Sequence, residues 1–145
     1  MKDIRVKRSG DKEEVLESLK DNIFGQLTNA LIFAASVGFK NGERIPLSSK
    51  GAGDPIKEDV FRRTNLHWRG ILNMMALCES NGDMSSLEDS DEKEEDRIRI
   101  FEEYANGGLK ILHDKLSRSS ITELKKFILE EMTEDTEPLD TNFKI

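Results

Sequence analysis

Asp114 followed by Glu123-Leu-Lys125 reproduces the order, Asp then Glu-x-Lys, with which metal-dependent nucleases hold a cation and activate water. That chemistry needs the Glu and the Lys on a strand, where residues i and i+2 point to one face. Here the pair falls among Ile121, Leu124, Phe127, Ile128 and Met132, which recur at helical spacing, and on a helix i and i+2 diverge. The acidic run from Glu88 to Asp96, broken by Lys93, lacks the alternation and the central glycine of a calcium loop and reads as a solvated charge run. Gly51-Ala-Gly53 lacks the Lys-Ser/Thr of a phosphate loop, and no serine or cysteine sits in a nucleophile motif. Cys78, His67 and His113 would have to recruit carboxylates to complete a zinc site. The expectation is a chain with no catalytic residue, no metal site and no cofactor, and so not an enzyme.

Two groups of cations point to binding instead. Lys2, Arg5, Lys7 and Arg8 lie on or beside Ile4-Arg-Val-Lys-Arg8, whose alternation has the period of a half-buried strand. A basic strand followed by helices has the order of a ribbon-helix-helix DNA reader, in which paired strands of a dimer enter the major groove. The same charges also suit an exposed edge strand that must not aggregate. Arg62, Arg63, His67, Trp68 and Arg69 set cations and an aromatic ring at helical spacing, suited to phosphates and a stacked base or to a partner's surface. Trp68 suits a core or interface anchor equally well, with arginine stems lying around it. Both groups sit in an acidic chain, whose net charge of −7 works against broad attraction to nucleic acid or anionic membrane.

These side chains need a scaffold, and composition limits its class. The 145 residues suit one domain, and 36% apolar beside 35% charged residues favours helices with solvated faces over a sheet buried on both sides. The predicted fold is mainly α: a compact bundle of about five or six helices with one short N-terminal strand or β-ribbon. It forms a single helical domain over residues 1–132, followed by a flexible acidic tail over 133–145. The strand needs a partner, either Glu43-Arg-Ile-Pro-Leu47 or the same strand of a second subunit, which leaves a homodimer open.

Asp11 and Glu14 make a capping box for a helix from about Lys12 to Asn22. After the turn Phe24-Gly25, apolar residues lie nearly all round a second helix that Gly38 can end. A loop spans Asn41 to Asp54, and Asp54-Pro55 then opens a helix burying Ile56, Val60 and Phe61. Thr64-Asn65 breaks it before a helix carrying Leu66, Ile71, Leu72, Met75 and Cys78. An acidic loop, Ser85 to Asp96, leads into a long helix with Ile98, Phe101, Tyr104, Leu109, Leu112 and Leu116. Ser120 to Glu123 is a second capping box, starting the last helix. With one cysteine, a charged N-terminus and no apolar run near the roughly 20 residues that span a bilayer, the expected location is cytoplasmic, away from membranes.

Inside the long helix stands Asn106-Gly107-Gly108, where each glycine costs about 1 kcal/mol relative to alanine and so needs a structural reason. The block Arg97-Ile-Arg-Ile-Phe-Glu-Glu-Tyr-Ala-Asn-Gly-Gly-Leu109 resembles the family of Dnd system-associated protein 4, or DNA phosphorothioation-associated protein 4. Ile32 to Leu47, Asp54-Pro-Ile with Val60-Phe61, and Leu72 to Leu77 resemble the same family, which together covers most of residues 4 to 116 and leaves out the tail. The resemblance implies an accessory protein of islands that place sulfur in the DNA backbone and restrict invading DNA. It implies binding to another protein of the island or to DNA, and carries no catalytic residues across. Phe101, Tyr104, Asn106, Gly107 and Gly108 are then the family-specific positions, read here as structural: two core rings, and glycines that admit a neighbouring helix or form a bend.

Overall fold

The computed structural model describes residues 4–48, 55–118 and 121–133. Along them run β1 (Arg5–Val6), α1 (Glu13–Leu19), α2 (Leu27–Lys40), β2 (Ile56–Lys57), α3 (Glu58–Arg62), α4 (Trp68–Glu79), α5 (Asp91–Arg118) and α6 (Ile121–Thr133). The predicted mainly α fold with a short β-ribbon is what the chain forms. Lys2, the segment 49–54 with its Asp54 cap, Ser120 and the tail from 134 lie outside the described residues, as do the side chains of Leu116, Ile121, Glu123, Leu124 and Met132.

The centre is the contact between α2 and α5, and glycine makes it possible. A Cβ on Gly108 would stand 1.7 Å from the Ala34 carbonyl oxygen, and one on Gly38 would stand 2.1 Å from that of Tyr104. A Cβ on Gly107 would lie 1.9 Å from the carbonyl oxygen of Glu43, in the segment that leaves α2. The two backbones thus meet where a side chain would hold them apart, and α5 runs through the glycine pair as one helix of 28 residues. Gly38 does not end α2, as its type allowed; it is buried at this contact, and the chain turns at Gly42, with φ of +66°.

Around this pair, the predicted apolar positions close the core. Leu16, Leu19, Leu31, Leu72, Met75, Leu109 and Leu112 are fully buried. Phe61, Trp68 and Phe101 form an aromatic cluster, Phe61 stacked on Trp68 at 4.4 Å and Phe101 edge-on to Trp68 at 4.7 Å. The first helix passes into one wider turn over Lys20–Phe24, and Gly25, at φ +76°, stops it. Ile128 of α6 is buried, and Lys40 reaches Glu131 at 3.1 Å to tie α6 to the end of α2.

Three local expectations are corrected. β1 pairs antiparallel with β2, Arg5 opposite Lys57 and Val6 opposite Ile56, and not with Glu43–Leu47. Pro55-Ile56 is therefore extended, and the helix begins only at Glu58, whose acid and that of Asp59 suit the positive end of the helix. The segment expected as a strand instead crosses α5. The Ile45 amide donates to the Glu103 carbonyl at 3.0 Å, and Asn106 Nδ2 donates to the carbonyls of Ile45 and Pro46 at 3.2 and 3.1 Å. Finally, α5 starts inside the acidic run rather than after it: Ser90 Oγ accepts from the Lys93 amide at 3.2 Å, so Asp91, Glu92 and Glu94 form the first turn.

Candidate partner-binding surface

The five family-block residues all face inward. Phe101 lies in the aromatic cluster, Gly107 and Gly108 are the contact points just described, and Asn106 fastens the 45–46 segment to α5. The Tyr104 ring packs edge-on against Phe39 at 5.3 Å and its hydroxyl donates to Glu79. Burial, reinforced by that carboxylate, pushes the phenol up to about 12. Arg44 completes the group, donating to Glu79 and to Glu103, each at 2.7 Å.

The cations around Trp68 are also tied down. Trp68 is 3% exposed, with its ring held between Phe61 and Phe101 and its Nε1 donating to Glu58 at 3.1 Å, so neither ring face is offered to a base. Arg69 bridges Glu58, at 2.8 Å, and Glu94, which also binds the buried Arg97. The hydrogen bond from Arg69 draws the Glu94 carboxyl down to about 2, with Arg97 adding to it against the opposing effect of burial. One ionic network thus joins α3, α4 and α5. Arg62 pairs with Glu58 at 3.1 Å on the exposed side of α3, and Arg63 with Asp59 at 3.7 Å.

On the N-terminal strand, the alternation turns Ile4, Val6 and Arg8 inward. Arg8 is 9% exposed and pairs with Glu13 at 3.2 Å, so it is part of the interior. Arg5 and Lys7 face outward into a groove of about 500 Å³ shared with Arg99 and with the carboxylates of Glu95, Asp96 and Glu102. Burial pushes Glu102 up to about 7, against the Lys7 backbone amide that donates to it at 2.5 Å. The carboxylates of Glu95 and Asp96 beside Arg5 and Lys7 oppose a phosphate backbone at this groove.

A second groove, which the sequence did not reveal, lies between α2, β2 and α3. It has a volume of about 590 Å³ and is lined by Lys20, Gln26, Leu27, Thr28, Ile56, Val60, Arg63 and Thr64. Its floor is apolar: Leu27 and Ile56 are half-buried and Val60 is 36% exposed. Its two cations hold long, exposed contacts, Lys20 with Glu17 at 3.5 Å and Asp21 at 3.8 Å, and Arg63 with the Asp59 carboxylate at 3.7 Å and carbonyl at 3.4 Å. Such pairs contribute little and exchange readily for another carboxylate. Of the predicted contact residues, Arg63 alone belongs to this groove, and no sequence pattern joins it to Leu27 and Lys20. Among the described residues, no group of three His, Cys, Asp or Glu side chains is placed to hold a metal, and no single helix is long and apolar enough to cross a membrane.

The chain belongs to the family described as DNA sulphur modification system-associated protein 4, whose model matches residues 5–144. The match reaches past Leu116 through α6 and into the tail, further than the block around Tyr104 indicated. No curated protein and no solved structure gives a significant match.

Proposed function

We propose that this member of the DNA sulphur modification system-associated protein 4 family is a non-enzymatic accessory protein of a DNA phosphorothioation and restriction defence system, working in the cytoplasm by binding a partner protein of that system. The observation that carries the reading is the groove between α2, β2 and α3, with its apolar floor at Leu27, Ile56 and Val60 and its loosely paired cations Lys20 and Arg63. An apolar floor supplies affinity and a cationic rim supplies orientation. The fitting occupant is an amphipathic segment with apolar anchors and flanking carboxylates. The family's distinctive residues support this indirectly, since Tyr104, Asn106, Gly107 and Gly108 are used to build the interior and leave recognition to the surface.

The test is co-purification from the native operon, comparing wild type with Val60→Glu and Arg63→Glu. Retention of a system protein by the wild type, reduced about tenfold in each variant, is the expected result. Equal retention in all three, or a turnover activity of the purified chain, would refute it.

A dimeric DNA-binding regulator is the competing reading, and one observation favours it: Arg5 and Lys57 stand opposite each other on the β-ribbon, both exposed. It predicts DNA affinity that falls steeply with salt and weakens in Arg5→Ala and Lys7→Ala.

A further inference from the structure

The window Gly70-Ile-Leu-Asn-Met-Met-Ala-Leu-Cys78 contains no charged residue, in a chain of which 35% is charged. A third of the window is explained by the core, because Leu72, Met75 and Ala76 are buried. Another third faces solvent. Gly70, Met74 and Cys78 recur every fourth residue on one line of α4, all three exposed, and Met74 is 47% exposed. Ile71 and Leu77, half-buried, flank that line.

We infer that this face of α4 is a two-fold self-association surface, on which a second copy of the chain packs its own α4 antiparallel with Met74 at the axis. Charge selects this occupant. At the first end of α4, Arg62 and His67 share a depression with Gly70, beside the positive end of the helix. At the other end, Ser80 Oγ donates to the carbonyls of Leu77 and Asp83, which folds the exposed Asp83 back against the last turn of α4. Antiparallel packing about Met74 places Gly70 against Cys78 of the other copy, and so turns the end of each α4 that carries Arg62, half-exposed where it shares Glu58 with Arg69, toward the Asp83 end of the other, twice over. Parallel packing would set like charges together.

The remaining requirement is close approach, and Gly70 meets it, since nothing lies within 4 Å of where its Cβ would be. Leu66 just before the helix and Met84 just after it, 39% and 67% exposed, add apolar surface at its two ends. One pair of short helices remains below the roughly 800 Å² per partner of a standard interface, so the dimer is concentration-dependent. This surface is separate from the groove at Val60, and the two assignments stand or fall independently.

The test uses the full chain in light scattering over a concentration series. Wild type moves from monomer mass toward dimer mass, while Met74→Glu, an exposed change, stays monomeric. Gly70→Cys, read on a non-reducing gel after mild oxidation, gives a covalent dimer through Cys78 of the other copy, and wild type, whose Cys78 is the single cysteine, does not. Monomer mass for wild type at every concentration would overturn the inference. So would a dimer that survives Met74→Glu, or a wild-type disulfide dimer, which would signify parallel packing.

Discussion

At the residue scale, two helical glycines stand in opposite surroundings. A methyl group on Gly108 would meet the Ala34 carbonyl at 1.7 Å, and both atoms belong to rigid helical backbone. Gly108→Ala therefore costs about 3 kcal/mol or more by overpacking, whereas Gly70→Ala, into open space, gains up to about 1 kcal/mol of helix propensity. Urea midpoints of the two variants check this, and a tolerated Gly108→Ala would dissolve the packing explanation of the glycine pair. Two carboxylates make a second contrast. Burial raises Glu102 to about 7, so its stabilising contribution is complete below its ordinary range near 4.5 and is lost as pH rises through 7. Glu102→Gln, which keeps an acceptor for the Lys7 amide, should be more stable than wild type at pH 8 by about 3 kcal/mol and match it near pH 4. Arg69 lowers Glu94 to about 2, so Glu94 stabilises above its ordinary range and that stability disappears on acidification toward pH 2. Glu94→Gln should be destabilising at pH 7, with the difference closing in acid, as thermal melts across pH would record.

At the element scale, the ionic network holds three helices to one another through a single side chain. Arg69→Ala leaves Glu58 and Glu94 facing each other's side of the network with one donor fewer, and it should cost about 2 kcal/mol. Arg62→Ala, at an exposed pair on the same carboxylate, should cost under about 0.5 kcal/mol. The same elements show what a sequence reveals and what it hides. Apolar spacing located the helices, and Phe24-Gly25 and Asn81-Gly82 marked two of their ends, because periodicity and left-handed turns are local properties, whereas Gly38 is taken up by packing inside α2. The paired glycines announced either a close approach or a bend, because their cost in a helix has to be offset by something, and the close approach is what they serve. β2 was hidden: a strand of two residues has no period, and Asp54-Pro55 imitates a helix start. Arg8 belongs by sequence with the exposed cations of its strand and by structure with the interior, since whether an alternating cation faces in or out depends on which of its neighbours the core takes. The groove at Val60 brings together residues from three separate stretches, and nothing local connects them.

At the scale of the whole molecule, interior and surface divide the work. Phe101, Tyr104, Asn106, Gly107 and Gly108 lie inside, and Arg44, Arg69 and Arg97 are tied to Glu79, Glu58 and Glu94. The surface holds the apolar groove with its loosely paired cations, and on another side the uncharged face of α4. On the binding role proposed above, function should follow surface substitutions that leave the melting temperature unchanged. Tagged chain expressed from the native operon, captured at moderate salt and read by mass spectrometry, tests that claim most directly. The account predicts that a protein of the sulphur modification system co-purifies with wild type and is largely lost from a Val60→Glu, Arg63→Glu double variant of unchanged melting temperature. Undiminished capture by that variant, or a wild type that retains no protein and instead binds DNA in a salt-dependent way, would contradict it.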